Sequence, residues 1–263
     1  MEVIGFIAAA LIGVSLALIG GGGSIITVPV LVYLFSIPPA LATSYSLFIV
    51  GFSSLAGAYK NYKQGCINFK TVLLFGTSSV TTAYLTRLLI IPQIPKVFTI
   101  GTLQLTESFA IMTIFGILML GASFSMISKR HIPYHHQNEL DIFLLLSCGI
   151  GIGLITGLLG AGGGFLLIPA LVLIMKLPMK EAIGTSLLII AFNCLIGFMG
   201  DIGRYNVQWL FLLSITIISV SGIIIGDVLN KKINGEKLKK AFGWFTLTVS
   251  ICIIVTEMLN IEK

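Results

Sequence analysis

The chain has little charge. Of its 263 residues, only 10% are Asp, Glu, Lys or Arg, while 56% are hydrophobic. Soluble domains carry about 25% charged residues. A chain so poor in charge cannot cover a water-facing surface, which excludes an ordinary soluble fold. The mean hydropathy of +1.05 makes the lipid bilayer its solvent and partner. Cysteine is scarce too. Cys66, Cys148, Cys194 and Cys252 stand far apart, with no CxxC pair and no metal-ligand spacing, so nothing points to a redox carrier or a thiolate metal site. No carboxylate falls in the middle of an apolar stretch, where a cation carrier commonly has one. No His or Asp lies at mid-span to activate a serine. A metal-ion carrier and a membrane enzyme are therefore the weaker readings. No enzyme activity, cofactor or resident metal is expected.

Cations outnumber anions, with a formal net charge of +6. They sit in short loops between apolar runs, so the excess reads as membrane topology rather than as a nucleic-acid surface.

What the chain does have is glycine, 29 residues of it, and an internal repeat. Shifted by 140 residues, Leu18-Ile19-Gly20-Gly21-Gly22-Gly23 falls on Leu158-Leu159-Gly160-Ala161-Gly162-Gly163. Pro29 falls on Pro169, Pro38 on Pro178, Ala42 on Ala182, Ser46-Leu47 on Ser186-Leu187 and Gly57 on Gly197. Roughly 15 of the 40 positions from Leu18 to Gly57 are identical without a gap, too many to arise by chance with the Gly and Pro punctuation also in register. Residues 3–19 lack the basic start of a signal peptide and match the internal residues 143–159, so they are expected to belong to the fold.

Each copy holds five apolar segments with helical length. They are 3–19, 24–36, 40–58, 68–91 and 104–128 in the first copy. In the second they are 138–159, 164–176, 180–200, 207–229 and 238–259. The expected organisation is a first transmembrane repeat over 1–128, a cytoplasmic linker over 129–137 and a second repeat over 138–263. The linker region carries His131, His135 and His136, which without further ligands read as solvated.

Residues 3–36 as one helix would run about 50 Å, against a hydrocarbon core of about 30 Å. The run Gly20–Gly23 breaks that length. Counting the pair as one crossing divides Lys and Arg about evenly between the two sides. Folding it back as a hairpin collects twelve on one side, from Lys60, Lys63 and Lys70 through the Lys237–Lys240 group. Only Arg87, Lys96, Arg204 and Lys263 stay on the other. The hairpin is the expected form. Each copy then crosses three more times, an odd number, so the copies point in opposite directions. Both termini are expected outside and the linker in the cytoplasm. The fold class is an all-α polytopic membrane protein of two inverted-topology repeats, each a broken-helix hairpin plus three transmembrane helices, an architecture of secondary transporters.

In that arrangement the two glycine clusters meet inside the membrane, each opening a short helix. A helix N-terminus offers unpaired N–H groups and about half a positive charge, and glycine lets a ligand approach them. Two such ends make an anion site without a buried lysine. The candidate substrate-binding residues are Gly22, Gly23, Ser24, Ser46, Gly162, Gly163, Gly164, Thr185, Ser186 and Asn193. Small polar residues in membrane helices also bond neighbouring helices or their own backbone, and that alternative stands beside the first. Arg87, Glu107, Asp227 and Glu257 fall near segment ends, from which charged groups snorkel to the interface.

The stretch Gly160-Ala161-Gly162-Gly163-Gly164-Phe165 through Pro169, then Leu177-Pro178, then Ala182-Ile183-Gly184-Thr185-Ser186-Leu187 resembles the signature of the TauE/SafE permease family. The first copy repeats it as Gly20–Pro29 and Ala42-Thr43-Ser44-Tyr45-Ser46-Leu47, with Tyr45 where the second copy has Thr185. The resemblance covers nearly the whole chain. It implies secondary transport of small anions of the sulfite, thiosulfate or organosulfonate type. Direction, coupling to protons or another ion, and assembly as a homodimer stay open, as does a channel or metal-ion carrier of the same architecture.

Overall fold

Inside a bilayer no water satisfies backbone polar groups, so a spanning chain closes its hydrogen bonds within helices. The computed structural model describes residues 2–93, 97–100, 103–127, 142–160, 162–173, 175, 177–230 and 235–261. The expected linker 129–137 lies outside the described residues.

The first copy contributes α1 (Glu2–Ile19), α2 (Gly22–Pro29), α3 (Pro39–Lys63), α4 (Phe69–Gln93) and α5 (Glu107–Ile127). The second contributes α6 (Ile142–Leu159), α7 (Gly164–Leu173), α8 (Met179–Met199), α9 (Trp209–Asn230) and α10 (Gly235–Ile261). Shifted by 140, α1 overlays α6 over residues 142–159 and α9 overlays the start of α4 at Phe69. Five of the described helices are long and apolar enough to cross a membrane. The chain is thus an all-α polytopic membrane protein. One element was not foreseen. Val97–Ile100 and Leu103–Thr106 pair as an antiparallel hairpin, Val97 opposite Thr106. Residues 104–106, expected to start a helix, are strand instead. Val97, Phe98, Thr99 and Ile100 are the β-branched and aromatic types that favour a strand.

Both copies break at the same place for the same reason. Gly20 and Gly160 have φ of +74° and +62°, a region in which a Cβ costs about 1–2 kcal/mol. Each N–H still closes the preceding helix, onto Leu16 at 2.7 Å and Thr156 at 2.9 Å. The short arms end alike as well. Ile37 N–H donates to Leu31 at 3.1 Å, as Leu177 does to Leu171 at 3.1 Å. Pro38 and Pro178 then start the next helices in an extended conformation, ψ 136° and 143°, since proline presets φ but cannot continue the previous helix.

Packing exchanges partners between the copies. α1 lies along α9, and α6 lies along α4 in the equivalent place, while α3 packs on α8 and α5 on α10. Glycines set the close seams, as small residues do between membrane helices. A Cβ at Gly153 would run into the backbone of Ser79. Its repeat partner Gly13 would meet Ser219 in the same way. The main core gathers α1, α3, α4, α6, α8 and α9 with Leu167, Ala170 and Leu171 of α7. A second core of Ile25, Val28, Met112, Phe115, Met119, Leu159, Ile168 and Ile253 seats the short arms α2 and α7 against α5 and α10.

Candidate functional site

The two glycine turns touch. A Cβ on Gly21 would collide with the backbone of Gly164, and one on Gly164 would lie 2.6 Å from Gly21 Cα. Only hydrogen atoms fit between the two backbone segments there. α2 and α7 begin at this contact, and α2 has no side chain capping its N-terminal N–H groups. Gly162 and Gly163 keep left-handed backbone, φ +68° and +63°. A Cβ at Gly162 would lie 2.7 Å from Cys194 Sγ, and one at Gly163 would collide with Thr156 Oγ1.

The polar candidates divide by what their hydroxyls already do. Ser24 donates to Gly21 O at 2.7 Å and Ser186 to Ile183 O at 2.9 Å. Both are fully buried on the helices that flank the turns. Thr185 Oγ1 accepts the Asn68 N–H at 3.0 Å, just before α4. Its repeat mate does the same with a different residue type: the Tyr45 hydroxyl accepts the Gln208 N–H at 2.7 Å, just before α9. Tyr45 is thus the equivalent of Thr185, which residue identity alone obscured. Asn193 Nδ2 donates to Ser79 Oγ at 2.8 Å. Ser53 and Ser219, each 140 residues removed from one of those partners, bond at 2.9 Å. These paired contacts tie each copy's third helix to the other copy's fourth. They were missed in the sequence because Ser53, Ser79 and Ser219 look like any small polar residue of a membrane helix. Ser46 Oγ, Thr156 Oγ1 and Asn193 Oδ1 are buried without a hydrogen-bond partner. A buried polar atom left so loses about 1–3 kcal/mol, so these atoms suit a polar guest.

Arg87 corrects the sequence reading most sharply. It does not snorkel. It is 1% exposed on a π turn of α4, Thr86–Ile90. Its Nη1 donates to Asp201 Oδ2 at 2.7 Å and to Thr43 Oγ1 at 3.3 Å. Arg204 braces the same turn from outside, donating to Arg87 O at 2.8 Å and Leu88 O at 3.3 Å. A widened turn leaves carbonyls to be satisfied, and a cation suits a helix C-terminus. Symmetry in the sequence pairs Arg87 with Asp227 and so hid the partner, Asp201, in the turn after α8.

The family description "Sulfite exporter TauE/SafE" matches residues 5–253. A protein of Xylella fastidiosa named "Probable membrane transporter protein" is 28% identical over 251 residues, covering 93% of this chain and 91% of its own. A similarly named protein of Methanocaldococcus jannaschii is 27% identical over 255 residues, covering 90% and 88%. One from Bacillus subtilis is 27% identical over 245 residues, covering 84% and 86%. No solved structure matches.

Proposed function

The chain belongs to the TauE/SafE family of membrane transporters, and from that premise we propose that it is a secondary transporter of small sulfur-containing anions of the sulfite, thiosulfate or organosulfonate type. The observation that carries this reading is the contact between Gly21 and Gly164, where two short helices start face to face. The first-turn N–H groups and the dipole of a helix favour negative charge at such a start, and Thr156 Oγ1, beside Gly163, is buried without a partner. The anion sits among Gly22, Gly23 and Ser24 of one turn and Gly162, Gly163 and Gly164 of the other. Ser46 and Asn193 supply side-chain contacts from α3 and α8. Thr185 and Ser186 flank the site on α8 with hydroxyls already engaged.

In this reading α1–α2 and α6–α7 are hairpins entering from opposite faces. Both termini lie outside the inner membrane and the linker lies in the cytoplasm. Alternating access follows from rocking of one repeat against the other about the site.

Purified protein in liposomes, offered labelled sulfite, thiosulfate, sulfate and acetate with and without a pH gradient, tests the proposal. Saturable flux of a sulfur anion in preference to acetate is expected. The pH-gradient arm reads proton coupling. Equal flux of all four, or none from folded protein, would overturn it.

A further inference from the structure

The Arg87–Asp201 ion pair uses one nitrogen of the guanidinium and leaves its Nε–Nη2 edge without an acceptor. Nη1 makes both contacts, to Asp201 and Thr43. Nε and Nη2 have no acceptor, although the residue is 1% exposed. In a guanidinium the Nε–H and one N–H of Nη2 run parallel on the same side. That edge takes two oxygens of a single oxyanion as a bidentate pair. Buried N–H donors of a cation are costly to leave unmet. Arg–carboxylate pairs are frequently bidentate, whereas this one uses a single nitrogen.

The unpaired edge lies against the second glycine turn. A Cβ on Gly160 would collide with Nη2, and one on Gly200 would lie 3.1 Å from Arg87 Cβ. The guanidinium therefore rests directly on the backbone of the turn that leads into α7. At the first turn the nearest neighbours are apolar. Gly20 packs on Ile183 and Ile168, and Ile183 occupies the repeat position of Thr43. The two turns are alike in backbone and unlike in charge.

We propose that Arg87 is an anion-binding residue of the transport site. Its Nε–Nη2 edge receives two oxygens of the oxyanion, and Asp201 fixes the guanidinium and offsets its charge. The ligand class is an anion with two oxygens on one centre, such as sulfite, a sulfonate or a carboxylate, rather than a halide. The anion sits off the molecule's centre, on the side of Gly160. This deepens the transport reading above and rests on it.

The test measures binding of radiolabelled sulfite to purified protein, with chloride as competitor, alongside flux in liposomes. Arg87→Lys keeps a cation for Asp201 but loses the parallel donors. It is expected to fold with an unchanged melting temperature, to bind sulfite roughly ten- to a hundredfold more weakly, and to lose preference over chloride. Arg87→Gln combined with Asp201→Asn removes both charges, so no buried charge is stranded, and it is expected to abolish sulfite binding. Wild-type affinity in folded Arg87→Lys, or sulfite binding by the double variant, would overturn the proposal and give Arg87 a bracing role only. Binding that depends on Arg87 without any flux would overturn the transport reading and leave the anion site standing. Absence of sulfite binding to the wild-type protein would overturn both.

Discussion

Two hydroxyls on unlike side chains do one job here. Tyr45 and Thr185 each accept the backbone N–H that precedes the other copy's fourth helix. Removing either acceptor strands a donor, so Tyr45→Phe and Thr185→Val are each expected to lower stability by about 1 kcal/mol. A melting temperature lower by a few degrees in detergent, with the sulfite KM unchanged, is the expected result. A raised KM at unchanged stability for Thr185→Val would instead make Thr185 a substrate contact. Residue-level chemistry was only partly legible in the sequence. The glycine turns announced themselves by composition and repetition. The partners of the hydroxyls did not, because Ser53, Ser79 and Ser219 acquire meaning only when helices from different copies meet. Arg87 was misplaced because its distance from a segment end suggested water, whereas its partner lies 114 residues away in a turn that folds over it.

Helices were the most readable objects, since apolar length and Gly-Pro punctuation set their limits. Seams between them were not, since a glycine facing a neighbour and one facing lipid look identical in sequence. α6 holds both kinds. Gly153 is buried against the Ser79 backbone, while Gly151 is exposed with nothing near its Cβ position. Gly153→Leu is expected to push α6 off α4, a loss exceeding about 3 kcal/mol from overpacking against main chain. Gly151→Leu is expected to be tolerated. Size-exclusion profiles and melting curves of the two variants separate these outcomes. The hairpin at Val97–Thr106 escaped because its strands are only four residues long, too short for a periodic signal.

At the scale of the whole molecule, the repeat legible as a 140-residue shift reappears as reciprocal packing, α1 on α9 and α6 on α4. Opposed orientation of the copies is a proposal, and it has a direct check. Cys66 follows α3, and Asn206, exposed after α8, is its repeat position. In protein whose other cysteines are replaced by alanine, a membrane-impermeant maleimide is expected to reach Cys66 only from the cytoplasm. In a Cys66→Ser background, Asn206→Cys is expected to react only from outside. Labelling of both from one face would make the copies parallel. The exchange of partners also sets a timetable. α1 leaves the ribosome well before the helix it lies against: Trp209–Asn230 is made about 190 residues later, a wait of about 10–40 s at ~5–20 residues per second. For that interval its small-residue face has only lipid or the insertion machinery to lean on. A nascent chain that stops in the linker therefore has no finished half to fall back on, and the two halves, expressed as separate polypeptides, would have to find each other in the membrane before either could mature.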